Sequence, residues 1–593
     1  MGKVIISIVI WVLFGSCIQP SSSARILAVE TVGGKSHWNF MKGILQALVN
    51  NRHNVTVFTP FTDGNRENYT EVDTTLGGAM RFMDMDLNQM KISMITKIGN
   101  FVAMSRMQCD QVYKNSKMKE ILNSKRTDFD LLIIEFFASD CVSYIATVLN
   151  LPLIYVTPLP ANALMDRTIT GHVSNPSTVT EMFSLHSVSK TFIQRLAHIF
   201  LLIRFKIVKE YKELFLKYTD PKHYDLIKPI SPSLVFVNRH FITDAPSPIP
   251  TNVINVGGIH LKEPRKLPKD ILEFIEQSPH GVIYFTFGST IKMSSIPEHI
   301  KKVLIEAFAE IPQRVLWKYE NKLEKIPKNM MIKKSLPQLH PNVKLFISHG
   351  GISGVYETVD AGVPVLGLPL FGDQHRNIDN LVNVGMAISM DLMFITRDNL
   401  LRNILELFNN EKYTKNAETA SKVFNDRPMS QAESVVYWTE YILRHKGAQH
   451  LKSHALNLKW YQYYLLDVLS LYLDLFTFNP QRTDLSDNPL LRIVMSIWIC
   501  GIPRQSIAVY ATSLTPPNSI CSSISEWITL HFKQSFNFQD VFTNPILAAA
   551  LSMYINSESK FMISGILDLI VSTIKCRRQI RLSLDLVSTK WFQ

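Results

Sequence analysis

No run of basic residues in this 593-residue chain exceeds a doublet, although the net charge is +12. Charge spread so thinly leaves no footprint for a phosphate backbone, so no nucleic-acid partner is expected. The six cysteines (Cys17, Cys109, Cys141, Cys500, Cys521 and Cys576) include no pair at metal-ligand spacing. Cys109 and Cys141 could bridge, which sequence alone does not decide. The one triplet that spells a metal-binding pair of aspartates, Asp84-Met85-Asp86, sits on a polar helical stretch, and no metal site is expected from it. Long apolar runs are missing too. Residues 4–14, 468–478, 490–502 and 561–574 each fall short of the roughly 20 residues that cross a bilayer as a helix. What remains is a globular composition, 46% apolar and 19% charged, long enough for two or more domains.

Residues 1–24 read as a signal peptide: Lys3, an apolar run, then Ser22-Ser23-Ala24 with cleavage after Ala24. Secretory entry gives meaning to two acceptor sequons, at Asn54 and Asn68. Asn54 enters a strand, where burial would shield it. The mature chain opens with a strand over 25–30, a Gly33-Gly34 bend, and Ser36 as a helix cap. Phe40, Met41, Ile44, Leu45 and Leu48 then mark one apolar helix face, and 55–58 form a second strand. Such a βαβ unit is right-handed and gathers ligands at the carboxyl ends of its strands. His37 lies there, in the first helical turn, where the positive dipole end favours the neutral imidazole that a general base must be.

A base needs a carboxylate to orient it and bear its charge once protonated. Glu135, ending a buried strand over 131–134, is the first candidate, and Asp140 is its rival. Residues 182–218 read as one amphipathic helix carrying Phe192, Leu196, Ile199, Phe200, Ile203 and Phe205 on its apolar stripe. A strand at 234–237 and a turn-rich crossing through 256–260 and 264–268 close the first half.

The second half starts with a strand ending in Gly288-Ser289, and another strand spans 312–317. Its centre is the segment 344–377. A buried strand leads to His349-Gly350-Gly351 and a helix over 352–361, where Ser353 and Glu357 share a face. Gly362 suits a left-handed cap, Pro364 ends the helix, and 365–368 form a strand before a polar loop holding Asp373-Gln374. Free N–H groups at such a glycine-to-helix turn suit a phosphate.

The set His349-Gly350-Gly351, Ser353, Glu357, Gly362-Val363-Pro364, Pro369, Asp373-Gln374 and Asn377 resembles the nucleotide-sugar box of the UDP-glycosyltransferases, insect-type microsomal members above all. That resemblance, running from about Arg25 to Leu473, implies an α/β fold of the GT-B kind, two facing Rossmann-like domains with the active site in the cleft. Residues 25–265 would bind the acceptor. Residues 266–460, with return helices, would bind the UDP-sugar; 461–478 would be a truncated membrane span, and 479–593 stay unassigned. It implies His37 as base, backed by Glu135 or Asp140. Gly288, Ser289, Gln338, His349, Gly351, Ser353, Glu357, Asp373 and Gln374 would hold the donor. UDP-glucose, or UDP-glucuronate, would donate to a small lipophilic acceptor with no cofactor or metal, in the endoplasmic reticulum lumen at the membrane. The chain departs from the family where Ser335 replaces a tryptophan that stacks on uracil, in a loop about four residues short. A binding or scaffold protein with impaired turnover is therefore the alternative expectation.

Overall fold

The computed structural model describes residues 23–75, 94–124, 128–136, 141–160, 167–226, 230–261, 266–289, 291–321, 323, 326–334, 340 and 342–477. Asp84 to Asp86, Asp140, Ser335, Gln338, the leader before Ser23 and everything after Thr477 lie outside them. Runs of apolar and β-branched residues give two all-parallel sheets. The first joins β1 (Arg25–Val29), β2 (Asn54–Thr59), β3 (Tyr69–Asp73), β4 (Leu131–Glu135), β5 (Leu153–Thr157), β6 (Leu234–Val237) and β7 (Val253–Asn255) in the order β3-β2-β1-β4-β5-β6-β7. The second joins β8 (Val282–Thr286), β9 (Arg314–Lys318), β10 (Met330–Lys333), β11 (Val343–Ser348), β12 (Val365–Gly367) and β13 (Ala387–Ser389) in the order β10-β9-β8-β11-β12-β13. Both are Rossmann-like: the chain order reverses beside β1 and beside β8, and ligand crevices open at such switch points.

Strands covered on both faces must be apolar throughout, and Ile26 to Val29 and Leu131 to Ile134 are all buried. In-register pairing sets Val29 beside Phe58 on β2 and Ile134 on β4. The next residues, Glu30 and Glu135, are thereby neighbours on the carboxyl edge. The helix Lys35–Asn50 starts after Gly34, with no side-chain cap, so Ser36 lies inside its first turn and does not cap it. The reason is Gly33, whose φ of 73° bends the chain early enough for the helix to begin ahead of Ser36. Its apolar face packs Trp38, Phe40, Met41 and Ile44 into a core that also receives Val435 and Ile442 from the return helix Gln431–Arg444.

Other local expectations shift. Asn54 is exposed at the first position of β2, not shielded by it, because only the residues after it enter the covered part of the sheet. The long helix runs Phe192–Thr219 and not from residue 182, because Thr191 and Gln194 close a capping box that fixes its start. Of its expected stripe, Phe205 is buried whereas Phe192, Leu196, Ile199, Phe200 and Ile203 stand exposed among the described residues. Cys109 and Cys141 form a disulfide between the helix Met94–Lys114 and the segment after β4.

The chain divides into compact units at Leu456 and Asn457. In the second, the described residues form the helices Trp460–Tyr463 and Leu466–Thr477, and no described helix is long and apolar enough to cross a membrane.

Within the first unit the two sheets are tied by buried ions. Asp244, just past β6, takes Arg239 Nε at 2.7 Å on one oxygen and Arg376 of the second half on the other, all three nearly inaccessible. Removing one partner from such a cluster strands buried charge and costs about 3–5 kcal/mol. Asp244→Ala should lower unfolding free energy by about that much in denaturant titrations. A loss below about 1 kcal/mol would show that the two guanidinium groups do not depend on this carboxylate.

Candidate functional site

The His37 ring lies at the start of its helix with little exposure, and its Nδ1 is 2.6 Å from Glu135 Oε1. Strand β4 brings that carboxylate up: Glu135 is its last residue and fully buried. Thr31 Oγ1 donates to the Glu135 carbonyl at 2.7 Å, pinning the strand end beneath the loop. Glu30 Oε1 accepts the N–H groups of Val32 (3.1 Å) and Gly33 (2.6 Å), so the glycine bend wraps the carboxyl of Glu30. Burial pushes Glu135 up to about 8, a hydrogen bond with Glu30 working against it. Glu30 is raised well above the usual carboxylate range by burial and by the charge of Glu135. Burial lowers His37, opposed by the charges of Glu30 and Asp373, which keeps the imidazole neutral near pH 7.

The second half meets this cluster with its own carboxyl edge. His349 follows β11, and burial together with the Lys318 ammonium pushes its imidazole down to about 3. Gly288 (φ 71°) lies on one side of that ring and Gly351 on another. A Cβ on Gly288 would stand 2.8 Å from His349 Cε1, and one on Gly351 2.5 Å from Nε2. Glycine is thus required at both places for the ring to fit. Gly351 also opens the helix Ile352–Ala361 with no side-chain cap, leaving its first-turn N–H groups for a ligand. Ser353 and Glu357 sit on that helix, and burial raises Glu357 to about 7 against the pull of Lys318. Ser289 is half-buried in the turn after β8.

The helix Gln374–Val384 starts after Asp373, whose side chain makes no cap hydrogen bond, so Gln374 opens a helix and does not end a loop. Gln374 gives its Oε1 to the N–H groups of Leu370 (2.9 Å) and Phe371 (3.1 Å). Asn377 Nδ2 donates to Asp373 Oδ2 at 2.7 Å and to the Gly350 carbonyl at 3.0 Å. The charges of Asp373 and His37 act on each other, so the two halves meet here. Asp140 and Gln338 are outside the described residues.

Three contributors escape a reading of motifs. Lys318 ends β9 and donates from Nζ to the Gly288 carbonyl; its signal was a lysine closing an apolar strand, past the point at which the expected strand stopped. Asn377 was legible as part of the pattern but not as the tie between Asp373 and Gly350. Glu30 could be found only by noticing an acidic residue at a strand end, aligned with Glu135 across the sheet.

A neutral histidine against a buried carboxylate lies at the carboxyl edge of one Rossmann-like sheet, and a histidine walled by two glycines lies at that of the other. That is the arrangement of a GT-B glycosyltransferase. The family model for "UDP-glucoronosyl and UDP-glucosyl transferase" matches residues 24–479, and the chain belongs to that family. It is 37% identical over 492 residues to UDP-glucosyltransferase 2 of Dactylopius coccus, covering 79% of this chain and 93% of that protein. To UDP-glucuronosyltransferase 2B17 of Mus musculus it is 30% identical, covering 73% and 87%. Among solved structures, spinosyn forosaminyltransferase SpnP aligns over 71% of this chain and all of its own length, with 16% identity and a TM-score of 0.47. The chain is a UDP-glycosyltransferase and its donor is a UDP-sugar.

The glycines separate two effects. Gly351→Ala, at an ordinary φ of −62°, should displace His349 without backbone strain. Gly288→Ala adds the left-handed penalty of about 1–2 kcal/mol. Calorimetry should show UDP binding weakened in both variants, and thermal unfolding a clear loss of stability in Gly288→Ala alone. Unchanged UDP affinity in Gly351→Ala would remove His349 from the donor site.

Proposed function

We propose that this enzyme transfers a hexose, glucose first, from a UDP-sugar to a hydroxyl of a small lipophilic acceptor, inverting the anomeric carbon. The observation that carries the reading is the 2.6 Å contact between His37 and Glu135 on the edge facing the Gly288–His349–Gly351 wall. His37 Nδ1–H is held by Glu135, and the other ring nitrogen takes the acceptor proton as the acceptor oxygen attacks the anomeric carbon. The bond from that carbon to the UDP oxygen breaks, and the electron pair leaves with UDP. Its charge is met by N–H groups at Gly288-Ser289 and Gly350-Gly351, by the neutral His349 ring, and by the Lys318 ammonium. Glu357 accepts the ribose hydroxyls, while Asp373 and Gln374 face the transferred sugar. Gln338 belongs to the uracil side. The imidazolium then releases its proton to water, and no metal is called for.

The same reading puts the enzyme in the endoplasmic reticulum lumen. The disulfide is of the kind that persists in an oxidising compartment, and exposed Asn54 is open to glycosylation. Association with the membrane would be peripheral or through a marginal span.

His37→Ala should cut kcat by about 10²–10⁴ while leaving UDP affinity close to wild type. Glu135→Ala should lose more activity than Asp140→Ala, and UDP-glucose should outcompete UDP-glucuronate as donor. With Glu135 raised to about 8, the carboxylate that orients His37 is lost as pH falls, so kcat/KM should climb from pH 6 and level off only above about 8. Full turnover by His37→Ala would sink the mechanism; a flat pH profile would sink the role of Glu135.

A further inference from the structure

The function reading leaves one buried acid unused. Glu30 is 3% exposed and Glu135 is fully buried. They stand beside each other because β1 and β4 are parallel and in register up to Val29 and Ile134, one step before each carboxylate. Adjacent strands run about 4.8 Å apart, so two side chains leaving matched positions on one edge are within reach of each other. The oxygen inventory is uneven. Glu30 Oε1 is already taken by two backbone N–H groups. Glu135 Oε1 is taken by His37, and no N–H or hydroxyl reaches the buried Glu135 Oε2, which leaves the carboxyl of Glu30 as the group beside it. Two buried carboxylates in contact cannot both ionise at moderate cost, so the pair retains a proton.

We propose that Glu30 is a positioning residue of the catalytic base, holding that proton on Oε2 and donating it to Glu135 Oε2. The consequence concerns the tautomer of His37. An ionised Glu135 accepts from Nδ1–H, which leaves proton acceptance to the other ring nitrogen. A protonated Glu135 would donate to Nδ1 and put the ring proton where the acceptor hydroxyl must deliver its own. Glu30 opposes this by supplying the second oxygen of Glu135 with a neutral donor, which stabilises the anion and lowers the pH above which it forms. The remaining charged neighbours act the same way or are fixed: Asp373 faces His37 from the second half, and its charge favours the imidazolium. Burial raises both acids, and of the two Glu30 is the one that also feels the other's charge pushing it up.

This inference rests on His37 being the base, so the experiment carries both. The acid limb of kcat/KM against pH is recorded for wild type, Glu30→Gln, Glu30→Leu and His37→Ala, with UDP affinity as the control for folding. Glu30→Leu removes the donor, so the Glu135 carboxyl becomes harder to ionise and the limb moves up by about 1–2 pH units. Activity near pH 7 falls about 10-fold or more and recovers at high pH, with KM for the UDP-sugar unchanged. Glu30→Gln still offers an N–H to Glu135 and an oxygen to Val32 and Gly33, so its limb stays where the wild type has it. Infrared spectra provide a second readout that needs only the isosteric variant: at one and the same pH the wild type shows one more protonated buried carboxyl than Glu30→Gln. An unmoved limb in Glu30→Leu, a limb displaced equally in Glu30→Gln, or equal carboxyl bands in wild type and Glu30→Gln overturns the role of Glu30 while the base reading stands. Activity retained by His37→Ala overturns both.

Discussion

The site depends on one buried carboxylate, Asp244, shared by two guanidinium groups. Arg239 comes from the first half and Arg376 from the helix Gln374–Val384, which starts after Asp373. Locking Arg376 therefore locks the start of that helix over the first sheet. Its next turns are held as well: Asp379 Oδ2 accepts from the backbone and hydroxyl of Ser187, and Asn380 Nδ2 donates to the Thr243 carbonyl. Thr243 Oγ1 in turn donates to Tyr356 Oη on the nucleotide-site helix Ile352–Ala361. A buried ion cluster is weak evidence for stability but can fix geometry. Here it fixes which residues of the second sheet overlook His37.

Burial then sets the protonation state of that overlook. Both histidines are pushed down and held neutral, while Glu135 and Glu357 are pushed up to about 8 and about 7. The site therefore carries less charge than its residue types suggest, with Lys318 as a cation acting on His349 and Glu357. In the proposed reaction a diphosphate would bring negative charge to the donor side, where neutral N–H donors and an ammonium stand, and an imidazolium would form on the other side, among carboxyls. Each charge created in that reaction would meet a dipole or ion already in place, which is electrostatic preorganisation.

How much of this was legible follows from the range of each interaction. Strands such as β1, β4, β6 and β11 and the helix Ile352–Ala361 with its left-handed Gly362 cap are written in local patterns and formed where those patterns put them, whereas β3, β5, β7, β10 and β13 were not foreseen. The start of the helix Lys35–Asn50 was misread because a backbone angle at Gly33 overrode a good capping residue. The exposed stripe on Phe192–Thr219 could not be foreseen, since periodicity reports one apolar face but not what faces it. Asp244, Glu30 and Lys318 carry no motif. Their roles come from strand register or from contacts far apart in sequence, Asp244 and Arg376 being 132 residues apart. A single sequence does not encode such pairs in any short pattern.

Carboxylates from both halves act on His37, Glu135 by contact and Asp373 by its charge, and they answer different needs. Glu135 belongs to the same sheet and contacts the ring whatever the donor site contains. Asp373 reaches His37 only through the second half, and Asn377 ties it to the Gly350 carbonyl at the glycine wall. Under the proposed mechanism, a shift of that wall on binding a diphosphate would reach Asp373 through one amide group. Since the charge of Asp373 favours the protonated form of His37, the cation that would follow proton transfer would be best stabilised with the donor side in place. The proposed base would thus be oriented by its own domain and assisted by the other, which would tie proton removal to the presence of a sugar to receive the oxygen.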